Sequence, residues 1–358
     1  MSSQPSQDLL RRLALAPGVP GAESAVRAIV REVLDGVGDL SHDRLGSLLC
    51  EKSGSASQPR VVIDAHMDEV GFMVQSVSSS GRISFVPLGG WWGHVLLGQR
   101  VDILTESGIV PGVIGSKPPH FLEAKERDRV IQLTDMYIDV GASSSKHVEA
   151  AGVRVGDPVA PHSEWLEMNV DGVLSCKAFD DRVGVGLLCE VLRSLDRASH
   201  PNTVIGVAAV QEEVGCRGAG TASELAQPDV GIVLEGTPAD DLPGVRAPQG
   251  ALGRGPQIRF YDPTAIASRR LVHLTEEVAR ENELPIQFAV RRSGGTDARS
   301  INTFGKGVPT VVIGVPCRYI HTHVALIQWQ DYEHAFRLIR GLVERLDSKE
   351  VAALTAFD

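Results

Sequence analysis

The pattern of apolar and polar positions divides the chain into three stretches of different texture. At the start, Leu9 to Leu15 and Ala25 to Leu34 carry apolar residues at helical spacing, and Pro17-Gly18-Val19-Pro20-Gly21 separates the two helices this predicts. A short β-branched run follows, Val61-Val62-Ile63-Asp64-Ala65, which reads as a buried parallel strand ending at His66-Met67-Asp68. From about Gly71 to His162 the pattern changes to short strands punctuated by glycine and proline, predicted over Arg82 to Val86, Arg100 to Leu104, Ile109 to Ile114 and Met136 to Val140. That texture suggests a small β-barrel rather than βα units. After Asp171, strands predicted over Thr203 to Val210, Val230 to Leu234 and Val308 to Ile313 alternate with helices over Val183 to Leu195, Arg269 to Glu281 and Tyr332 to Leu346.

This order predicts an α/β fold: a doubly wound, mostly parallel sheet in a discontinuous domain, residues 1–70 and 163–358, interrupted by a β-barrel-like insert at residues 71–162. A length of 358 residues agrees with one large unit and one smaller one. Gly112-Val113-Ile114-Gly115-Ser116-Lys117 superficially resembles a phosphate loop. The Gly-x4-Gly-Lys-Ser/Thr spacing is absent, however, and Pro118 stands where a helix would open, so the segment reads as a strand end.

Composition narrows the classes of function. A formal net charge of -10 gives no broad basic field, so neither nucleic acid nor an anionic membrane is an expected partner, and a small substrate is. Five scattered cysteines without a CxxC pair argue against a disulfide framework and against a thiolate zinc site. No apolar run approaches the roughly 20 residues of a membrane span, and Met1-Ser2-Ser3-Gln4-Pro5 lacks the basic and apolar regions of a signal peptide. A cytoplasmic location is the expectation.

The candidate chemistry lies at strand ends. His66 and Asp68 follow the first strand, Glu212 and Glu213 follow Thr203 to Gln211, Glu235 follows Val230 to Leu234, and His321 lies in the loop after Val308 to Val315. In an open parallel sheet, residues distant in sequence converge outside the carboxyl ends of the strands. Ala178-Phe179-Asp180-Asp181-Arg182, just before a helix, would bring two more acids to that edge. Two imidazoles with several carboxylates and no thiolate form a hard, mixed N/O set that suits zinc, cobalt or manganese. Taken singly these residues have ordinary roles: a strand-end His is commonly a hydrogen-bonded structural residue, and paired acids commonly complement a helix N-terminus. Glu212-Glu213, however, follow directly on an apolar run, Val204 to Val210, where buried charge needs compensation that a metal pair supplies. His323, two residues from His321, is the alternative ligand or a partner that orients one.

At these residues the chain resembles the tetrahedral (TET) aminopeptidases, a metallopeptidase family that includes glutamyl and deblocking aminopeptidases and members once labelled endoglucanases. Six ordered motifs carry the likeness over nearly the whole chain: Ala16-Pro17-Gly18-Val19-Pro20-Gly21, His66 to Phe72, Ala178 to Arg182, Gln211 to Gly215, Gly294 to Ala298, and Arg318 to Thr322. The resemblance implies two divalent metal ions per subunit. Asp180 would bridge them, His66 and Glu235 would complete one site, and Glu213 and His321 the other. It further implies Glu212 as general base and Asp68 as the residue that orients His66. The insert would be a dimerisation domain, with the chain forming a homo-oligomer built from dimers and reaching a dodecamer in many relatives. Two positions depart from the family pattern: Glu235 stands where many members have Asp, and His323 where many have Pro.

The function expected is therefore hydrolysis of the N-terminal peptide bond of short peptides with a free N-terminus, by a metal-bound water and a Glu general base. The alternatives are a metal-dependent deacylase of N-acyl amino acids or peptides, which needs the same groups, and a non-catalytic metal-binding assembly subunit, which would not need Glu212. Two carboxylates flanking a sugar bond, as an endoglucanase requires, would leave the surplus metal-type ligands unused. Gly294-Gly295-Thr296-Asp297 reads either as a wall of the substrate pocket or as a plain glycine turn.

Overall fold

The computed structural model describes residues 5–123, 125 and 128–357. Apolar spacing in the first helix, Gln7–Leu15, buries Leu9, Leu10, Leu13 and Ala14 on one face, and the Ser6 hydroxyl accepts the Leu9 N–H at its start. A second amphipathic helix, Ser24–Leu34, leads to strands β1 (Asp39–His42), β2 (Leu48–Ser53) and β3 (Arg60–His66). The chain then leaves the sheet. It builds a closed barrel from β4 (Gly71–Val77), β5 (Ile83–Leu88), β6 (Arg100–Thr105), β7 (Gly108–Gly115), β8 (Tyr137–Asp139) and β9 (Pro158–Pro161), in the order β4-β5-β8-β7-β6-β9 with antiparallel neighbours.

The barrel owns a separate core. Phe72 stacks on Trp91 with ring centroids 4.8 Å apart and meets Phe85 edge-on, inside a shell that includes Val101, Ile103, Ile114 and Ile138. Its strands alternate as a half-buried sheet should: in β7, Gly112 and Ile114 point in while Ile109 and Val113 stay exposed. The Gly112 to Lys117 segment closes β7 at Gly115 and opens no helix there, as a strand end.

Beyond the barrel, β10 (Leu166–Glu167) and β11 (Val173–Cys176) precede the long helix Phe179–Ser194. The remaining strands are β12 (Thr203–Ala209), β13 (Val230–Pro238), β14 (Gln257–Asp262), β15 (Ala265–Ile266), β16 (Gln287–Val290), β17 (Thr310–Cys317) and β18 (Ala325–Gln328). Among the described residues the main sheet runs β1-β2-β12-β3-β13-β17-β14-β15, with β16 beside β14; β10, β11 and β18 form a small sheet apart. The run β12-β3-β13-β17 is parallel throughout and antiparallel pairs flank it, so the fold is the mostly parallel α/β sheet with a separate barrel that the texture predicted.

Helices cover both faces. Gln7–Leu15, Ser24–Leu34, Phe179–Ser194, Arg269–Glu281 and Trp329–Arg345 pack over one apolar cluster that includes Ile63, Val204, Ile232 and Ile313. On the other face the Ala-rich helix Arg217–Ala226 and the short helix Ala298–Asn302 cover Val62, Ile205, Val207 and Val233. One expectation needs correcting: Glu235 does not follow its strand but lies within it, because β13 keeps its register with β17 as far as Pro238 against Cys317. Among the described residues no helix is long and apolar enough to cross a membrane, and all five cysteines are buried and free.

Candidate metal centre

The site forms where the parallel strands end. The register Asp64 against Val233 places His66 and Glu235, each two residues further on, side by side at the carboxyl edge. Gln211 and the two acids after it leave β12 there, and the loop after β17 delivers His321. Asp180 arrives from the kinked entry of the helix Phe179–Ser194, where Asp180 and Asp181 have non-helical backbone angles. Its main chain passes so close to β13 that a Cβ on Gly236 would lie 2.7 Å from the Asp180 Cα, which is why that position carries glycine. Of the seven non-glycine residues with positive φ among the described residues, five stand around this edge: Ala178, Gln211, Cys216, Tyr319 and His321. Such backbone is held only where the surroundings over-determine it, and here it aims the side chains that line the cleft.

Both imidazoles are fixed by carbonyl groups. His66 Nδ1 lies 2.9 Å from the Asp68 main-chain oxygen, and His321 Nδ1 lies 2.7 Å from the Gly90 oxygen on the barrel side. A carbonyl only accepts, so each Nδ1 carries a proton, and in the neutral rings each Nε2 presents a lone pair to the cleft. Both lone pairs face carboxylates. His66 Nε2 is 3.2 Å from Asp180 Oδ1 and 3.8 Å from Glu235 Oε2, and His321 Nε2 is 3.2 Å from Asp180 Oδ2 and 3.4 Å from Glu213 Oε1. Asp180 therefore stands between the two rings, one oxygen towards each.

Electrostatics follow from this crowding. Burial alone would lower the pKa of His321, yet Asp180 and Glu213 raise it to about 11; His66, buried likewise, is raised well above its usual range by Asp180, Asp68 and Glu212. Burial pushes Glu212 up to about 8, opposed by His66 and assisted by the neighbouring carboxylates of Glu213, Asp68 and Asp180. Glu235 is raised well above the carboxylate range, by burial first. Asp180 alone is lowered, its burial outweighed by its bonds to His321 and His66. Glu213 Oε1 and Glu235 Oε1 are buried with no hydrogen-bond partner. Among the described residues four groups of donor atoms lie within 4.8 Å of one another: His66 with Glu212 and Glu213, Glu212 with Cys216 and Asp297, and two that share Asp180, namely His66 with Asp180 and Glu235, and Asp180 with Glu213 and His321. Lone pairs, orphaned carboxylate oxygens and a carboxylate common to the last two groups fit divalent cations, whose positive charge relieves all three.

The other expected residues fall in distinct places. Asp68 touches His66 chiefly through its main-chain carbonyl, the carboxylate Oδ1 being 3.5 Å from Nδ1; that carboxylate accepts the main-chain N–H groups of Glu212 at 2.9 Å and Glu213 at 3.0 Å. His323 turns away from the cleft. Its Nε2 meets the Arg100 carbonyl at 3.0 Å and its ring lies near Trp91, joining the barrel to the sheet domain. Gly294 and Gly295 line the cleft, whereas Asp297 is buried. Three supporting contacts carry no sequence signal of their own. Asp181 accepts the His66 N–H at 3.2 Å, the Gly90 carbonyl holds His321, and a buried cluster of Lys177 and Arg182 around Glu69 ties the His66 loop to the helix Phe179–Ser194. Paired acids and lone glycines are too common for their spacing alone to reveal such contacts.

Residues 46–338 match the family described as M42 glutamyl aminopeptidase. The chain is 34% identical to the lysyl aminopeptidase of Pyrococcus furiosus over 345 residues, covering 95% of this chain and 97% of that one. Among solved structures it resembles a TET aminopeptidase from a marine sediment archaeon of the Thaumarchaeota, with a TM-score of 0.94, 41% identity and 97% and 98% of the two chains covered. It also resembles the Pyrococcus horikoshii TET1 peptidase, which assembles into a tetrahedron or a large octahedral shell, with a TM-score of 0.84, 31% identity and 95% and 99% covered. A mostly parallel sheet, a separate barrel and this cluster of acids and imidazoles occur here in a chain that belongs to the M42 glutamyl aminopeptidase family of metal-dependent peptide-bond hydrolases.

Proposed function

We propose that the chain is a two-metal aminopeptidase that removes the N-terminal residue of short peptides, with Glu212 as general base. The observation that carries this reading is Asp180 between two imidazoles whose Nδ1 atoms are already committed to carbonyls. His66, Asp180 and Glu235 would hold one divalent ion, and Asp180, Glu213 and His321 the other; zinc, cobalt and manganese suit this donor set. Bound ions supply Lewis acidity, which lowers the pKa of water and polarises a carbonyl.

The protein's own groups do the rest. Glu212 faces the same cleft, its Oε2 3.9 Å from His66 Nε2 and its main chain pinned by Asp68. A buried carboxylate with an elevated pKa takes a proton from a water that attacks the scissile carbonyl and returns it to the leaving amine. Cations at the site oppose that elevation and keep the group basic near neutral pH. The acid-rich end of the cleft also attracts a free α-ammonium group, which makes cleavage exopeptidic. Asp68 serves by positioning the Glu212-Glu213 main chain together with the His66 ring. His323 is a structural joint between barrel and sheet domain.

Residues 1–70 and 163–358 form the catalytic domain in this reading, and residues 71–162 the assembly domain. The barrel's exposed apolar residues, Trp92, Ile109 and Val113 among them, support subunit contacts, and the shells formed by the P. horikoshii relative support a homo-oligomer built from dimers, up to a dodecamer. The chelated protein reloaded with zinc, cobalt or manganese, and assayed on free and acetyl-blocked peptides by mass spectrometry, tests the function. Metal-dependent release of the first residue from free peptides only is the expected result. Release of the acyl group from blocked peptides instead identifies a deacylase, and full activity without metal contradicts the proposal.

A further inference from the structure

Glu212 is held firmly at its main chain and by a single thiol at its side chain. Its N–H donates to Asp68 at 2.9 Å, and its carbonyl accepts the N–H groups of Gly215 and Cys216, both at 2.8 Å. Its carboxylate has one hydrogen-bonding neighbour among the described residues: Cys216 Sγ lies 3.3 Å from Oε1. Cys216 stands at the entry of the helix Arg217–Ala226 with left-handed backbone, φ 54°, where a side chain commonly caps the free N–H groups of the first turn. Its thiol caps none of them and lines the cleft instead. On the far side the Cys216 carbonyl accepts the Ser300 hydroxyl at 2.9 Å, and Sγ lies 3.3 Å from the Thr296 carbonyl. The thiol is thus braced between Glu212 and the segment that carries Gly294, Gly295 and Asp297.

A thiol has one proton, and a carbonyl and an ionised carboxylate both only accept. Burial first, and then the nearby Glu212 and Asp297 carboxylates, push the Cys216 pKa up, so the sulfur keeps its proton and remains a donor. We infer that Cys216 is a positioning residue for the base: its S–H fixes Glu212 Oε1 and leaves Oε2, the oxygen 3.9 Å from His66 Nε2, to take the proton of the attacking water. The inference rests on the reading of Glu212 as general base and adds the atom through which it acts. A weak donor suits this task. It sets the rotation of the carboxylate while stabilising the anion little, whereas a cationic donor at the same place would make the base poorer. Asp297 has an oxygen within 4.8 Å of both groups, but both its carboxylate oxygens lack a hydrogen-bond partner, so it does not share the work.

The test compares Cys216→Ala and Cys216→Ser in the metal-loaded protein on amidated Leu-Leu, with metal content measured on the same samples. Cys216→Ala lowers kcat about 3–30-fold, the scale of one hydrogen bond to a charged group, and leaves KM and metal content as in wild type. Cys216→Ser, which keeps a donor, recovers most of the rate. In a Glu212→Gln background Cys216→Ala changes kcat less than twofold, because the thiol acts through the carboxylate that is no longer there. Four results overturn the assignment: wild-type kcat in Cys216→Ala, a Cys216→Ser protein as slow as Cys216→Ala, the full loss repeated in the Glu212→Gln background, or metal lost from Cys216→Ala. Each of these leaves Glu212 as base. Wild-type kcat in Glu212→Gln itself overturns the base reading and this inference with it.

Discussion

Asp68 holds the main chain of Glu212, its Oδ1 accepting the Glu212 N–H at 2.9 Å. Because its other oxygen takes the Glu213 N–H, a single buried carboxylate holds the main chain of both the proposed base and a proposed metal-site acid. Asp68→Asn keeps the shape but turns an amide N–H towards one of these donors. Turnover should fall about 10–100-fold, the scale of supporting-shell changes around metal sites, with metal content little changed. Wild-type kcat in the variant would show that these bonds do not position the base.

Asp180 and Asp181 are adjacent yet have different tasks. Asp180 faces both imidazoles, whereas Asp181 accepts the His66 and Gly184 N–H groups and stays behind the ring. Asp180→Ala should lose divalent-ion binding and activity together. Asp181→Ala should still bind metal while losing about 1–3 kcal/mol of stability for each buried donor left unpaired. Calorimetric titration of both with zinc, beside thermal melts, separates them; an Asp181→Ala protein that binds no metal would move the bridge by one residue.

Much of this was legible in the sequence. The long amphipathic helices and β-branched strands have strong periodicity, and the change from helix–strand alternation to glycine-punctuated strands announced the barrel. The convergence of acids and imidazoles at strand ends was legible because an open parallel sheet gathers its carboxyl ends. What escaped was carried by weaker signals. The helix Arg217–Ala226 buries only small residues, Gly218, Ala219, Ala222, Ser223 and Ala226, so its apolar stripe is faint. Glu235 reads as a residue beyond its strand because Gly236 and Pro238 are poor strand formers, and pairing with β17 overrides that preference. The Gly90 carbonyl that orients His321 has no side chain to betray it. His323 was ambiguous for the opposite reason: an imidazole two residues from His321 has the right chemistry, and only the fold shows that it meets the Arg100 carbonyl.

Assembly is tested on the outer face of β7, where Ile109 and Val113 are exposed four residues apart on the same side of the strand. Ile109→Glu with Val113→Glu adds charge there without touching the barrel core. Light scattering should show smaller particles than wild type. An unchanged mass would place the subunit contacts on another surface.

Glu190 gives a pH dependence independent of the metal. Burial raises its pKa from 4.5 to about 7, although the Tyr332 hydroxyl and the Ser6 N–H donate to its carboxylate. A carboxyl with a raised folded-state pKa holds its proton where the unfolded chain has released it, so its contribution to stability is fully present below pH 4.5, falls as pH rises to about 7, and levels off above. Glu190→Gln should remove that slope and melt higher than wild type at pH 8. Parallel melting curves for the two proteins between pH 5 and 8 would contradict the assignment.

The most direct test of the account is metal content by mass spectrometry read beside kcat for Glu212→Gln. The variant keeps the size of the side chain and removes only the basic carboxylate. Glu212→Gln should retain the wild-type metal content and lose about 10²–10⁴-fold in turnover, the usual contribution of a general base. A Glu212→Gln protein depleted of metal, or one that turns over at the wild-type rate, would contradict the proposed division of labour between Glu212 and the proposed ligands His66, Asp180, Glu213, Glu235 and His321.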